Sequence, residues 1–238
     1  MDSILYLCFA GAYAALLAWG LILLALRGRP SASDFVLLVI LGLVYDNAIL
    51  GFGAMIGEGP ALEAANAARF WLHALLTPLL VVVAWSILAR SGIRWAMRPA
   101  AVVVAVLVTL ALMAYEIVVG ATGLVLEPVR EYGSLSYDDA SAASGPPLMV
   151  LAVAAALLVA GIGVWVRRRW PWLTIVTVIM VAGSAVPIPV DSGAATNAFE
   201  LILLIGIVAT IAFQDSAERR DRPTRVGSAG LGADSVRL

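Results

Sequence analysis

The chain has 238 residues, 62% of them hydrophobic, a mean hydropathy of +0.99 and only 13% charged residues. Several apolar runs exceed the roughly 18 residues needed to cross a bilayer, which excludes a soluble domain and predicts an integral membrane protein. The net charge of −1 carries little information about partners, because the charges are sorted by side of the membrane; nucleic acid is not an expected partner.

The hydrophobic pattern predicts an all-α fold of seven transmembrane helices, at about 3–26, 34–56, 69–90, 99–120, 147–166, 170–190 and 196–214. Residues 1–214 then form the transmembrane domain and 215–238 a disordered polar tail. The N-terminal stretch starts acidic and runs long enough to span, so it is expected to be a helix rather than a cleavable signal. Arg27 and Arg29 follow the first span, Arg90, Arg94 and Arg98 the third, and Arg167, Arg168 and Arg169 the fifth. With Arg219, Arg220, Arg222, Arg225 and Arg237 of the tail, thirteen of the fifteen arginines fall on one face if the spans number seven. The positive-inside rule then places the N-terminus outside and the tail in the cytoplasm, as expected for a multi-pass plasma-membrane protein. Trp95, Trp165, Trp170 and Trp172 flank these arginines as an interfacial aromatic belt. The other face carries the acidic connections, 57–68 and about 121–146, the latter with Glu127, Glu131, Asp138 and Asp139.

Polar residues inside the spans mark which faces turn inward. The first helix offers Tyr6 and Tyr13, two turns apart. In the second, Gly42, Asp46, Gly53 and Gly57 share an arc, so Asp46 points into the bundle, with Asn47 beside it and Gly53-x-x-x-Gly57 at a close-packing spacing. The third opens RFWLH: Arg69, His73 and Thr77 form one stripe, His73 is the only histidine, and Pro78 is expected to kink the helix. In the fourth, Thr109, Glu116, Gly120 and Gly123 share a face. The fifth has no polar side chain before Trp165 and is expected to be scaffold or lipid-facing. In the sixth, Thr177 and Ser184 align below Pro187 and Pro189. The seventh brings Thr196, Asn197 and Glu200. Asp46, Arg69, His73, Glu116 and Glu200 thus converge on the outer half of the membrane. An ionisable group at that depth marks a functional cavity, although an interhelical hydrogen bond that only fixes packing is the plainer alternative.

The residue inventory excludes much chemistry. Lysine is absent, so no retinal Schiff base can form. One histidine and one cysteine, Cys8, leave no metal site of the usual composition, no disulfide within the chain and no CxxC redox pair. No Gly-x-Ser-x-Gly elbow or P-loop lysine occurs, and Asp138-Asp139 lacks the further carboxylate of a magnesium-binding prenyl-transfer motif. No cofactor is expected. Two kinds of function survive, a carrier or sensor without catalysis and an acid–base enzyme acting on a lipid-soluble small molecule, the latter with Asp46, Glu200 and Glu116 as acid and base. Asn47, Arg69, His73, Tyr6, Tyr13, Trp71 and Asn197 would bind substrate, and Phe70 could add an aromatic face for a carbocation.

The seven spans, the missing metal motif, and acidic residues in the second and seventh helices, here Asp46 and Glu200, resemble the small seven-span membrane terpene cyclases of meroterpenoid and indole-diterpene pathways. That resemblance implies a protonation-triggered cyclisation in which these acids take part. The RFWLH stripe does not map onto that family. The alternative is a proton-coupled small-solute transporter or a lipid-binding sensor without catalysis, with Arg69 on a lipid phosphate. A subunit whose polar core only holds the bundle together is a third.

Overall fold

A computed structural model describes residues 2–141, 148–185 and 193–220. The chain is mostly helical: α1 spans Asp2–Arg27, α2 Val36–Ile56 after a 3-10 turn at Ala32–Phe35, α3 Pro60–Leu76 and α4 Leu79–Arg90. Helix α5 spans Pro99–Glu116 and runs into a π turn at Ile117–Ala121, and α6, α7 and α8 span Leu148–Arg168, Trp172–Ala185 and Ala194–Arg220. Among the described residues six helical segments are long and apolar enough to cross a bilayer, with α3 and α4 counted as one segment. The seventh, α7, is apolar over its 14 described residues, and residues 186–192 that follow it lie outside the described residues. Leu107, Met55 and Val166 are among the many large apolar side chains turned outward, a surface compatible with a membrane protein.

Local chemistry explains the breaks. Pro60 and Pro99 each sit in the first turn of their helix, where the missing N–H costs nothing. Helix α3 therefore starts at Pro60, nine residues before the expected boundary, and much of the supposed outer connection is helical. Pro78 has no N–H to continue the ladder, so the helix is interrupted between Leu76 and Leu79, at the place where a kink is expected. The hydroxyl of Thr109 on α5 donates to the buried Pro78 carbonyl at 3.4 Å.

Three expectations need correction. The fold is not purely α: β1 (Leu126–Glu131) and β2 (Ser134–Asp139) form an antiparallel hairpin, Glu131 opposite Ser134, closed by Tyr132 and Gly133 at φ 46° and 86°. Gly53 does not serve helix packing with Gly57. A side chain there would strike the carbonyl of Leu135, so Gly53 admits the hairpin backbone, while Gly57 caps α2 at φ 84°. Helix α8 continues to Arg220, six residues past its expected end, and the rest of the expected tail lies outside the described residues. So do Pro187 and Pro189.

The core lies between α1, α2, α4, α6 and α8, around Tyr13, Ile40, Ile87, Leu157 and Ile207. Helix α6 supplies Val153, Leu157 and Ala160 to it, so only its far face is free for lipid. At the arginine-rich end, Arg27 pairs with Asp34 and, at 3.2 Å, with Asp215. Arg90 pairs with Asp215 and, at 3.0 Å, with Glu218, which also meets Arg29. Gln214 donates to the carbonyl of Ile87 at 2.8 Å. This network ties α1, α4 and α8 together. Trp95, Trp165 and Trp172 are exposed, whereas Trp170 leaves the expected belt and stacks on Phe213 at 4.5 Å.

Candidate functional site

At the hairpin end, a polar cavity of about 350 Å³ opens between α1, α2, α3, α8 and the hairpin. The ladder period sets its walls: Asp46 lies one turn below Leu50 on α2, Arg69 one turn above His73 on α3, and Glu200 one turn beyond Thr196 on α8. Tyr6 contributes from α1. Strand β2 closes the outer side, held down by a hydrogen bond from the Ser134 hydroxyl to the Leu50 carbonyl at 2.9 Å. The Tyr137 hydroxyl accepts the Gly59 amide at 3.1 Å, which fixes the hairpin to the turn between α2 and α3.

The charged groups are not equivalent. Arg69 Nε donates to Asp46 Oδ1 at 2.7 Å, and its Nη1 donates to Asn66 Oδ1 at 2.6 Å. Asn66 is itself oriented by donating to the Leu62 carbonyl at 2.7 Å. A carboxylate held by a guanidinium is an acceptor, which suits Asp46 to anchoring or to the role of base. Glu200 has neither a hydrogen bond nor an ion pair among the described residues and lines the cavity. His73 shares a long 3.4 Å contact between its Nδ1 and the Thr77 hydroxyl, leaving Nε2 open.

Below this cavity lies a second chamber of about 70 Å³ with almost wholly apolar walls, built from α2, α3, α4, α6, α7 and α8. Leu43, His73 and Glu200 line both chambers. The imidazole and the free carboxyl therefore stand on the boundary between a polar and an apolar space. A narrow recess of about 30 Å³ beside Gly42 reaches Asp46, Arg69 and His73 from between α2 and α3.

Of the expected site residues, the structure gathers Tyr6, Asp46, Arg69, His73, Asn197 and Glu200 around the polar cavity. Asn47 and Tyr13 sit behind that wall. Asn47 Nδ2 donates to Asn197 Oδ1 at 2.9 Å, and the Tyr13 hydroxyl donates to the Asn197 carbonyl at 3.0 Å. They position Asn197 rather than face the cavity. Glu116 lines neither chamber and ends α5 beside Gly120, apart from the other acids. Trp71 is 40% exposed and turns outward. Thr177 lines the apolar chamber, with its hydroxyl donating to the Leu173 carbonyl at 2.7 Å.

Sequence reasoning missed Asn66, which precedes Arg69 by three residues and so shares its helix face, a signal that was available. It also missed the hairpin, which brings Glu131, Ser134, Ser136 and Asp138 to the rim, and Asp2 of α1. Nearby Asp139 lies outside the spans. Its carboxyl is held below the usual carboxylate range by the Ser141 hydroxyl first, then by the backbone amides of Ser141 and Val125. Among the described residues no group of three His, Cys, Asp or Glu side chains is placed to hold a metal ion. Comparison of the chain with protein-family models, curated proteins and solved structures finds no match.

Proposed function

We propose that the protein is an intramembrane acid–base enzyme acting on a lipid-soluble, isoprenoid-type substrate, in the manner of a protonation-triggered terpene cyclase. The observation that carries this reading is the position of Glu200 and His73, each lining a polar and an apolar chamber at once. An alkene in the apolar chamber would take the Glu200 proton. The electron pair of that bond forms the new C–H bond, and the resulting cation is attacked by a second double bond within the chain. Loss of a proton to His73 restores neutrality, so the product is an isomer of the substrate. The polar cavity returns the proton to Glu200, and Arg69 holds the Asp46 carboxyl in place on the wall of that cavity. The recess beside Gly42 offers a lateral way in from the lipid. The arginine-rich end faces the cytoplasm by the positive-inside rule, with seven spans, the N-terminus outside and the plasma membrane as location.

The test is mass spectrometry of lipid extracts from cells fed polyprenyl and quinone-type precursors and expressing wild type or Glu200→Gln. An isomer of unchanged mass found only with the wild type supports the enzyme. Identical lipids at equal expression refute it. That outcome transfers the weight to a proton-coupled carrier or sensor, for which the free Glu200 carboxyl and the linked Asp46–Arg69 pair also suffice, and vesicle proton-flux measurements decide between those two.

A further inference from the structure

The enzyme reading leaves the ligand's chemistry open, and the two chambers constrain it from opposite ends. The polar cavity is lined by five acidic side chains, Asp2, Asp46, Glu131, Asp138 and Glu200, against a single arginine, which Asp46 already engages. With Glu200 holding its proton as the acid, Glu131 and Asp138 at the rim still oppose an anionic headgroup, and the one arginine on the wall already serves Asp46 and Asn66. The apolar chamber has the reverse character. Leu80 and Val153 form its sides, and Leu157 and Leu204, both fully buried, close it. Its volume of about 70 Å³ is roughly half that of an engineered ~150 Å³ cavity that binds benzene, so it takes the end of a chain rather than a whole one. Because Leu43, His73 and Glu200 belong to both walls, one molecule can occupy both spaces.

We infer that the ligand is a single amphiphile with a non-anionic head, seated head-outward in the polar cavity with its hydrocarbon terminus in the chamber between α6, α7 and α8. Prenyl diphosphates and other anionic lipids are thereby excluded as substrates. This rests on the proposed function for the identity of the site, but it concerns binding alone, so it stands or falls without any turnover. The residue that sets how far the chain enters is Ala154, a small side chain on the chamber wall. Its neighbour Ala155 is exposed on the outer face of the same helix and serves as the matched control.

The experiment is photo-crosslinking of purified wild-type protein in lipid nanodiscs with geraniol carrying a diazirine at its hydrocarbon end. Crosslinks are expected in the peptides holding Val150–Leu157 and Thr177–Met180. Geraniol should compete them away at least tenfold better than geranyl diphosphate. Ala154→Phe, which fills the chamber, should remove these crosslinks, and Ala155→Phe should keep them. Crosslinks confined to outward-facing residues, or competition by the diphosphate equal to that by the alcohol, would overturn the inference. So would crosslinks indifferent to Ala154→Phe. The wild-type map decides the matter even if Ala154→Phe does not fold. Specific crosslinking with no isomer in the lipid extracts would retain this inference while refuting the enzyme.

Discussion

Replacing Asp46 by asparagine keeps the side-chain shape but removes the anion from a pair that joins α2 to α3. Exposed ion pairs contribute about 0–1 kcal/mol, whereas stripping one partner from a buried pair costs about 3–5 kcal/mol. The Asp46 and Arg69 side chains are 25% and 14% exposed, between those limits. The bond from Arg69 to Asn66 survives the substitution. The expected loss is therefore about 2 kcal/mol, interpolated between the two regimes. Glu200→Gln removes a carboxyl with no partner among the described residues and should stay within about 0.5 kcal/mol of wild type. Reversible unfolding in bicelles, followed by steric trapping, measures both. The contrast matters because it separates a residue that holds the bundle from one that acts. If Asp46→Asn left stability unchanged, or Glu200→Gln cost as much as Asp46→Asn, the assignment of anchor and acid would be refuted.

Two further perturbations test the scaffold by the same assay. Asp215 is 3% exposed and serves both Arg27 and Arg90, so Asp215→Asn should cost about 3–5 kcal/mol, while Glu218→Gln, at a more open carboxyl, should cost under about 1 kcal/mol. Equal losses would show that the network is not centred on Asp215. Gly53→Ala puts a methyl group against the Leu135 carbonyl and should cost about 1–3 kcal/mol while opening the hairpin to protease, and an intact, protected hairpin would refute the docking contact.

The helices were legible because apolar runs of span length admit few other structures. Asp46, Arg69, His73 and Glu200 were legible for a related reason: a charge in such a run stands out, and the helical period says which way it points. What escaped was carried by residues outside that background. In Leu126–Asp139 the strands carry Pro128 and several charges, and the two-residue turn uses Tyr132 where asparagine or aspartate would have announced it. Asn66 was hidden by a boundary set too late, although Pro60 marked the true start of α3. Asp215 and Glu218 looked like the beginning of a solvated tail, because their arginine partners lie more than a hundred residues away and no local pattern connects them. Glu116 shows the opposite error: helical phase aimed it inward, but α5 lies at the edge of the bundle, where inward does not lead to the cavity.

The pairing of Arg27 with Asp215 also imposes an order on biosynthesis. The two residues are 188 positions apart, which at 5–20 residues per second is roughly 10–40 s of translation. During that interval Arg27 has only Asp34 and the Arg29 carbonyl, and Arg90, once made, has only the Ser33 hydroxyl among its described side-chain partners. The last helix is thus a keystone. A nascent chain that stops short of residue 215 inserts its earlier helices with two guanidiniums incompletely matched, which gives the cell a physical mark by which an unfinished copy differs from a finished one.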